Sequence, residues 1–202
     1  MHSSLKPAYG IQVLGKACIM GGILFAISLI TMFSMPQLPM VLREFFQRHD
    51  YLLRSLFFLS QMGFMAGLAG LLLTKALGYK SVAPVLLLIP FLGQVCYAVS
   101  AWLSTQQVMT LLPLPLTQIG ALLNAIGMLI IGIIVVRVKV WQGWQRWIPL
   151  SVGLYPFLVM FPILILAGGR PPSTIIGAWG LIWAILGLSI YSTASKKTPV
   201  IA

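Results

Sequence analysis

Residues 116–136 read "LTQIGALLNAIGMLIIGIIVV", and no side chain in this stretch is charged. An apolar run of about 20 residues is long enough to cross the hydrocarbon core of a bilayer as an α-helix. A helix also satisfies its own backbone hydrogen bonds, which lipid cannot do. The stretch therefore predicts a transmembrane helix.

Five further apolar runs lie on either side of it. The chain of 202 residues is 59% hydrophobic and only 7% charged, whereas soluble domains carry about 25% charged residues. Little sequence remains outside the runs except short connections. We therefore predict an all-α integral membrane protein, with one domain over residues 1–202 that forms a compact bundle of six transmembrane helices. The predicted spans are residues 17–35, 54–75, 83–104, 116–136, 148–168 and 173–193.

The connection after the first span contains "VLREFFQRHDYLLR", residues 41–54, which holds both acidic residues of the chain. At helical spacing its apolar side chains fall on one side and its charged side chains on the other. This pattern predicts a short amphipathic helix at about 41–53 that lies in the plane of the membrane interface.

The acidic residues of this stretch, Glu44 and Asp50, each precede an arginine by four positions. That spacing favours local ion pairs with Arg48 and Arg54. The alternative is an acid–base pair formed by His49 with Asp50 or Glu44. Neighbouring residues on a helix point in different directions, which disfavours this alternative.

The net charge of +11 would suggest nucleic acid binding in a soluble protein. Here the basic residues lie at the ends of the apolar runs, which is the arrangement that membrane topology requires. With the N-terminus inside, nine basic residues face the cytoplasm and four face outward, so we expect a cell-membrane protein with both termini in the cytoplasm. The predicted inner residues are Lys6, Lys16, Lys75, Lys80, Arg137, Lys139, Arg146, Lys196 and Lys197, and the outer ones are Arg43, Arg48, Arg54 and Arg170.

The inner connection "VRVKVWQGWQRWIP", residues 136–149, alternates tryptophan with basic residues. Tryptophan rings collect at membrane interfaces, and positive charge collects on the inner side. Trp141, Trp144, Trp147 and Arg146 are therefore candidate interface anchors. A site for an anionic lipid or for a partner protein is the alternative interpretation.

Small residues recur on one face of three predicted spans. Small side chains let helix backbones approach closely inside lipid, so these stripes predict helix–helix contacts. The stripes are Ser60, Gly63, Gly67, Gly70 and Thr74; Thr117, Gly120, Asn124 and Gly127; and Ser173, Gly177, Gly180, Ala184 and Gly187.

Few polar side chains lie deep in the predicted spans. Gln94, Tyr97, Asn124 and Gln61 form a candidate polar pocket, and we expect Gln94, Tyr97 and Asn124 to point into the bundle. Buried amides need hydrogen-bond partners. They either bond between helices, or they line a pocket for a small neutral or amphipathic ligand.

No Asp, Glu, His, Lys or Arg lies in the middle of a predicted span, and no His or Cys residues stand at metal-ligand spacing. We therefore predict no catalytic residues, no metal and no cofactor. The expected function is non-enzymatic binding, as an accessory subunit or a sensor. The alternative is a small transporter of a neutral or lipid-like solute. Membrane lipids are the expected partners, with other membrane subunits or a small apolar ligand as further candidates, and nucleic acid is not expected.

Overall fold

The computed structural model describes residues 5–78, 82–103, 116–168 and 172–195, and these ranges contain helices and turns without a strand. The predicted all-α bundle is confirmed. Its α-helices are α1 (Leu5–Ser34), α2 (Met40–Arg48), α3 (Asp50–Leu73), α4 (Ala83–Trp102), α5 (Leu116–Val138), α6 (Ile148–Tyr155), α7 (Phe161–Leu166) and α8 (Ser173–Ser195).

Within the described residues, six helical segments are long and apolar enough to cross a membrane. They are Ala8–Met32, Asp50–Leu73, Ala83–Trp102, Leu116–Val138, Gly143–Leu166 and Thr174–Ser195. Gly143–Leu166 is called the fifth span below, because it joins the 3-10 turn Gly143–Trp147, α6, the π-helical turn Pro156–Met160 and α7. These six segments make the chain a membrane-embedded protein.

The first helix begins well before the predicted span 17–35. Pro7 and Gly10 are residue types that oppose helix, but α1 already begins at Leu5. Pro7 is tolerated because it lies in the first turn, where a missing N–H leaves no hydrogen bond unmade. Lys16 is accommodated within α1 with its ammonium 5.6 Å from the centre of the Tyr191 ring.

The amphipathic helix is shorter than the predicted 41–53. It ends at Arg48, and residues from Asp50 onward already belong to α3. His49 separates the two helices, because its backbone (φ −120°, ψ 44°) is not helical. The predicted pair of Asp50 and Arg54 is present, with 2.9 Å between its charged atoms, whereas Glu44 and Arg48 form no ion pair among the described residues.

A proline explains an unusual contact of the fifth span. Pro156 has no N–H, so the carbonyl of Val152, four residues earlier, cannot receive its usual helical hydrogen bond. The indole N–H of Trp179 on α8 donates to that carbonyl instead, at 2.9 Å. This hydrogen bond joins α8 to the fifth span at a backbone carbonyl that the fifth span itself leaves without a donor.

The glycines divide the bundle into two units of three spans each. The first unit consists of α1, α3 and α8, and the second consists of α4, α5 and the fifth span. Within the described residues, each helical glycine whose Cβ position would meet another helix meets one of its own unit. The pairs are Gly15 with Gly187, Gly21 with Gly63 and Gly22 with Gly180 in the first unit, and Gly93 with Gly120, Gly127 with Pro90, Gly132 with Leu150 and Gly153 with Leu129 in the second.

The predicted contact role of the small-residue stripes is thus confirmed for their glycines. Between the units the contacts are made by larger side chains. The rings of Phe57 and Tyr97 meet edge to face at 6.1 Å, and the Tyr155 hydroxyl donates to the Ile175 carbonyl at 2.8 Å. Backbones therefore approach most closely inside a unit.

Candidate ligand site: a buried amide cluster

Gly93 fixes the position of Asn124 relative to α4. A Cβ placed on Gly93 would lie 2.8 Å from the Gly120 carbonyl oxygen and 3.0 Å from the Asn124 nitrogen. Such close approach is open only to glycine, and it puts Asn124 at the level of Gly93 and of the next residue, Gln94. Both Gln94 and Asn124 lie near the middle of their helices.

The ring contact of Phe57 with Tyr97 fixes the register of α3 against α4. It joins the first part of α3 to the last part of α4, so the two helices are antiparallel. Gln61 lies one turn after Phe57, and Gln94 lies one turn before Tyr97. Gln61 and Gln94 therefore stand at about the same depth.

Three side-chain amides from three helices are thus brought to one level, and we call Gln61, Gln94 and Asn124 the amide cluster. Each of the three is fully buried, with 0% of its surface exposed. Tyr97 is also buried, at 8% exposure. The prediction that Gln94, Tyr97 and Asn124 point into the bundle is confirmed.

The hydrogen bonds of the amide cluster are incomplete. Gln61 donates to the Phe57 carbonyl at 3.1 Å and to the Ser60 hydroxyl at 2.9 Å. Its Oε1 has no partner among the described residues, and neither do the amide oxygen and nitrogen of Gln94 and of Asn124. Sequence reasoning placed Ser60 only in a packing stripe and missed that it accepts a bond from Gln61.

The structure therefore shows no hydrogen bond between the side-chain amides of Gln61, Gln94 and Asn124. A buried polar group without a partner costs about 1–3 kcal/mol. The cluster offers both N–H donors and carbonyl acceptors, and it contains no charged side chain. A molecule that satisfied it would be uncharged and would both accept and donate hydrogen bonds.

The tryptophans of the inner connection separate into two kinds. Trp144 and Trp147 are 54% and 46% exposed, in agreement with an interface position. Trp141 is only 2% exposed, so its assignment as a surface anchor is corrected: its ring packs in the protein core. Arg146 is half-buried, and its guanidinium lies 5.2 Å from the centre of the Trp147 ring.

The residues of the disfavoured acid–base pair have other partners. The ring Nδ1 of His49 lies 2.9 Å from the Phe45 carbonyl, and Asp50 is paired with Arg54. Within the part of the chain that the structure describes, no group of three His, Cys, Asp or Glu residues could hold a metal ion.

Comparison of the chain with protein-family models, with curated proteins and with solved structures finds no match.

Proposed function

We propose that this protein is a non-enzymatic, membrane-embedded binding protein, acting as a sensor or an accessory subunit. The observation that supports the proposal is the amide cluster, in which three buried amides from three helices lie at about the same depth and five of their polar atoms have no partner among the described residues. A role limited to packing does not account for buried polar atoms that find no partner in the part of the chain that the structure describes.

The chemistry of the cluster suggests its ligand. Aromatic rings stand close by, with Phe57 and Tyr97 one turn away from the amides. Ligand sites typically combine such apolar walls with a few convergent polar groups. We therefore propose a small, uncharged, partly apolar ligand that carries at least one hydrogen-bond donor and one acceptor.

The first experiment compares the molecules that purify with the protein and with the double variant Gln94→Leu/Asn124→Leu. The protein is extracted in mild detergent, and its bound small molecules are identified by mass spectrometry. We expect a stoichiometric neutral compound with the natural protein, and a loss of at least about tenfold with the variant, because two amide contacts are removed.

A matched control is Ser189→Ala. Ser189 is fully buried, but its hydroxyl is satisfied within its own helix by the Ile185 carbonyl at 3.0 Å. It should leave the bound compound unchanged. Two results together would contradict the proposal. The natural protein would purify without a bound compound, and the double variant would be as stable as the natural protein or more stable.

Transport of a small neutral or lipid-like solute is a second candidate function. It is favoured by the position of the cluster, since Gln61 belongs to the first unit while Gln94 and Asn124 belong to the second. Rocking of two bundles about a mid-membrane site is a common mechanism of transport. Sealed vesicles that contain the protein should then exchange the co-purified compound across the membrane, and binding without exchange would leave the sensor or subunit role.

We also propose a location in the cell membrane with both termini in the cytoplasm. The support is the unequal distribution of basic residues between the two ends of the bundle. Of the residues in that count, Lys80, Arg170, Lys196 and Lys197 lie outside the described residues.

A further inference from the structure

One end of the bundle carries positive charge that no acidic side chain can neutralise. The turn that follows α3 meets the end of α5 there, since a Cβ on Gly78 would lie 3.0 Å from a methyl group of Val138. Arg137 lies in the last turn of α5, and Lys139 and Arg146 follow in the connection between α5 and α6. The only acidic residues of the chain, Glu44 and Asp50, precede α3 or begin it and therefore lie at the opposite end.

The basic groups of this connection have no acceptor within the described protein. Arg137 and Lys139 are exposed. Arg146 is half-buried, and its Nε is covered yet has no hydrogen-bond partner among the described residues. A guanidinium has five N–H donors in a fixed plane, so the terminal N–H groups of the half-buried Arg146 can bind an acceptor that the described residues do not supply.

The connection is held in place on both sides of Arg146. Trp141 is buried in the core, and the side-chain amide of Gln145 donates to the Ser192 hydroxyl of α8 at 2.6 Å. The Trp147 ring lies beside the guanidinium itself. Arg146 is therefore positioned before any ligand arrives, which lowers the entropy cost of binding.

We propose that this connection binds the phosphate headgroup of one anionic phospholipid. Arg146 makes the main contact, because a guanidinium matches the two oxygens of a phosphate. Arg137 and Lys139 supply additional positive charge. The site is separate from the amide cluster and does not depend on it.

Two tryptophans favour a lipid over a dissolved anion as the source of the phosphate. The rings of Trp144 and Trp147 are about half exposed, and such rings sit at the level of lipid headgroups. The connection also leads directly into the fifth span, which begins at Gly143. The guanidinium thus lies where a membrane places its phosphates.

The test measures the affinity of the purified protein in mild detergent for phosphatidylglycerol and for phosphatidylcholine with the same acyl chains, by native mass spectrometry. We expect the anionic lipid to bind about tenfold more tightly, because the choline of phosphatidylcholine adds a positive charge that Arg137 and Lys139 repel. Arg146→Ala should remove that preference. Arg146→Lys keeps the charge but loses the planar guanidinium. Its preference for the anionic lipid should lie between those of the natural protein and Arg146→Ala.

The matched control is Arg48→Ala, which removes an exposed arginine at the opposite end and should leave the preference intact. Thermal unfolding without added lipid identifies any variant that fails to fold. If Arg146→Ala does not fold, the lipid preference of Arg146→Lys is compared with that of the natural protein instead. Equal affinity for both lipids would overturn the proposal, as would an effect of Arg146→Ala no larger than that of Arg48→Ala. Displacement of the anionic lipid by inorganic phosphate would identify a free anion as the occupant and would overturn the lipid assignment.

Discussion

At the scale of single residues, glycine controls how closely the helices of this protein pack. A Cβ placed on Gly21 would lie 2.8 Å from the Cα of Gly63 and 2.9 Å from the Ser60 carbonyl oxygen. Both neighbours are backbone atoms, so neither can move away without shifting a whole helix. Close backbone contact of this kind supplies the packing that holds helices together in lipid.

We predict that Gly21→Ala lowers the free energy of unfolding by about 1–3 kcal/mol, the usual cost of overpacking. The measurement is the midpoint of thermal unfolding in one mild detergent. Gly10→Ala is the control, because nothing lies within 4 Å of a Cβ at Gly10. It should leave the midpoint unchanged or raise it slightly, since alanine favours helix over glycine by about 1 kcal/mol. Equal midpoints for the two variants would show that the contact of α1 with α3 is looser than described.

The amide cluster depends on the same residue type. Glycine at position 93 lets α5 approach until Asn124 stands level with Gln94, and a larger residue there would separate the two amides. The residues that build the site are therefore not only the ones that would touch its ligand.

At the scale of elements, α2 is a helix without a buried side chain. Val41 and Phe45, four residues apart on one face, are 79% and 46% exposed. Gln47 is exposed as well but belongs to the polar face. In a membrane-embedded protein this arrangement fits a helix whose apolar face rests in the lipid interface.

A nitroxide attached at Val41→Cys tests this position of α2. We expect the label to be more accessible to oxygen, which dissolves in lipid, than to a nickel chelate in water. Adding Phe45→Asp should reverse that preference, because a carboxylate on the apolar face is costly in the interface. Gln47→Asp introduces the same charge on the polar face and should change nothing. A label at position 41 that prefers the aqueous reagent in the natural background would mean that α2 does not lie in the membrane interface.

At the scale of the whole molecule, the orientation in the membrane follows from charge. Gln47 lies on the side that the basic residues predict to be outside, and Gln142 lies in the basic inner connection. Both are exposed. Of the two cysteines, Cys18 is buried and Cys96 is intermediate, so only Cys96 needs to be replaced before labelling.

In that background, Gln47→Cys should react in intact cells with a thiol reagent that cannot cross the membrane. Gln142→Cys should react only after the membrane is opened, because we propose that its connection faces the cytoplasm. Labelling of Gln142→Cys but not Gln47→Cys in intact cells would invert the proposed topology. Labelling after lysis controls for the accessibility of each site.

The class of the fold and the number of spans follow from the order of the amino acids alone. Apolar length and the lack of charge are properties of consecutive residues, and the bilayer imposes a minimum length on every crossing. The burial of Gln94 and Asn124 could also be predicted, because an amide in a lipid-exposed position would lack hydrogen bonds. The glycine stripes likewise predict which face of a helix makes contact, although they do not predict which helix it contacts.

Which faces meet is visible only in the packed structure, because a stripe of small residues does not specify its partner helix. The packed structure assigned the stripe of α8 to α1 and that of α5 to α4, and so divided the bundle into two units. The structure places Trp141 in the core and not at the interface, because its burial depends on neighbours that are distant in the chain. It also shows that α2 ends at Arg48, because the backbone of the next residue is not helical. The structure also shows that Gln61 lies at the same depth as Gln94 and Asn124. No local sequence pattern predicts this, because the relative depth of residues on different helices is set only when the helices pack.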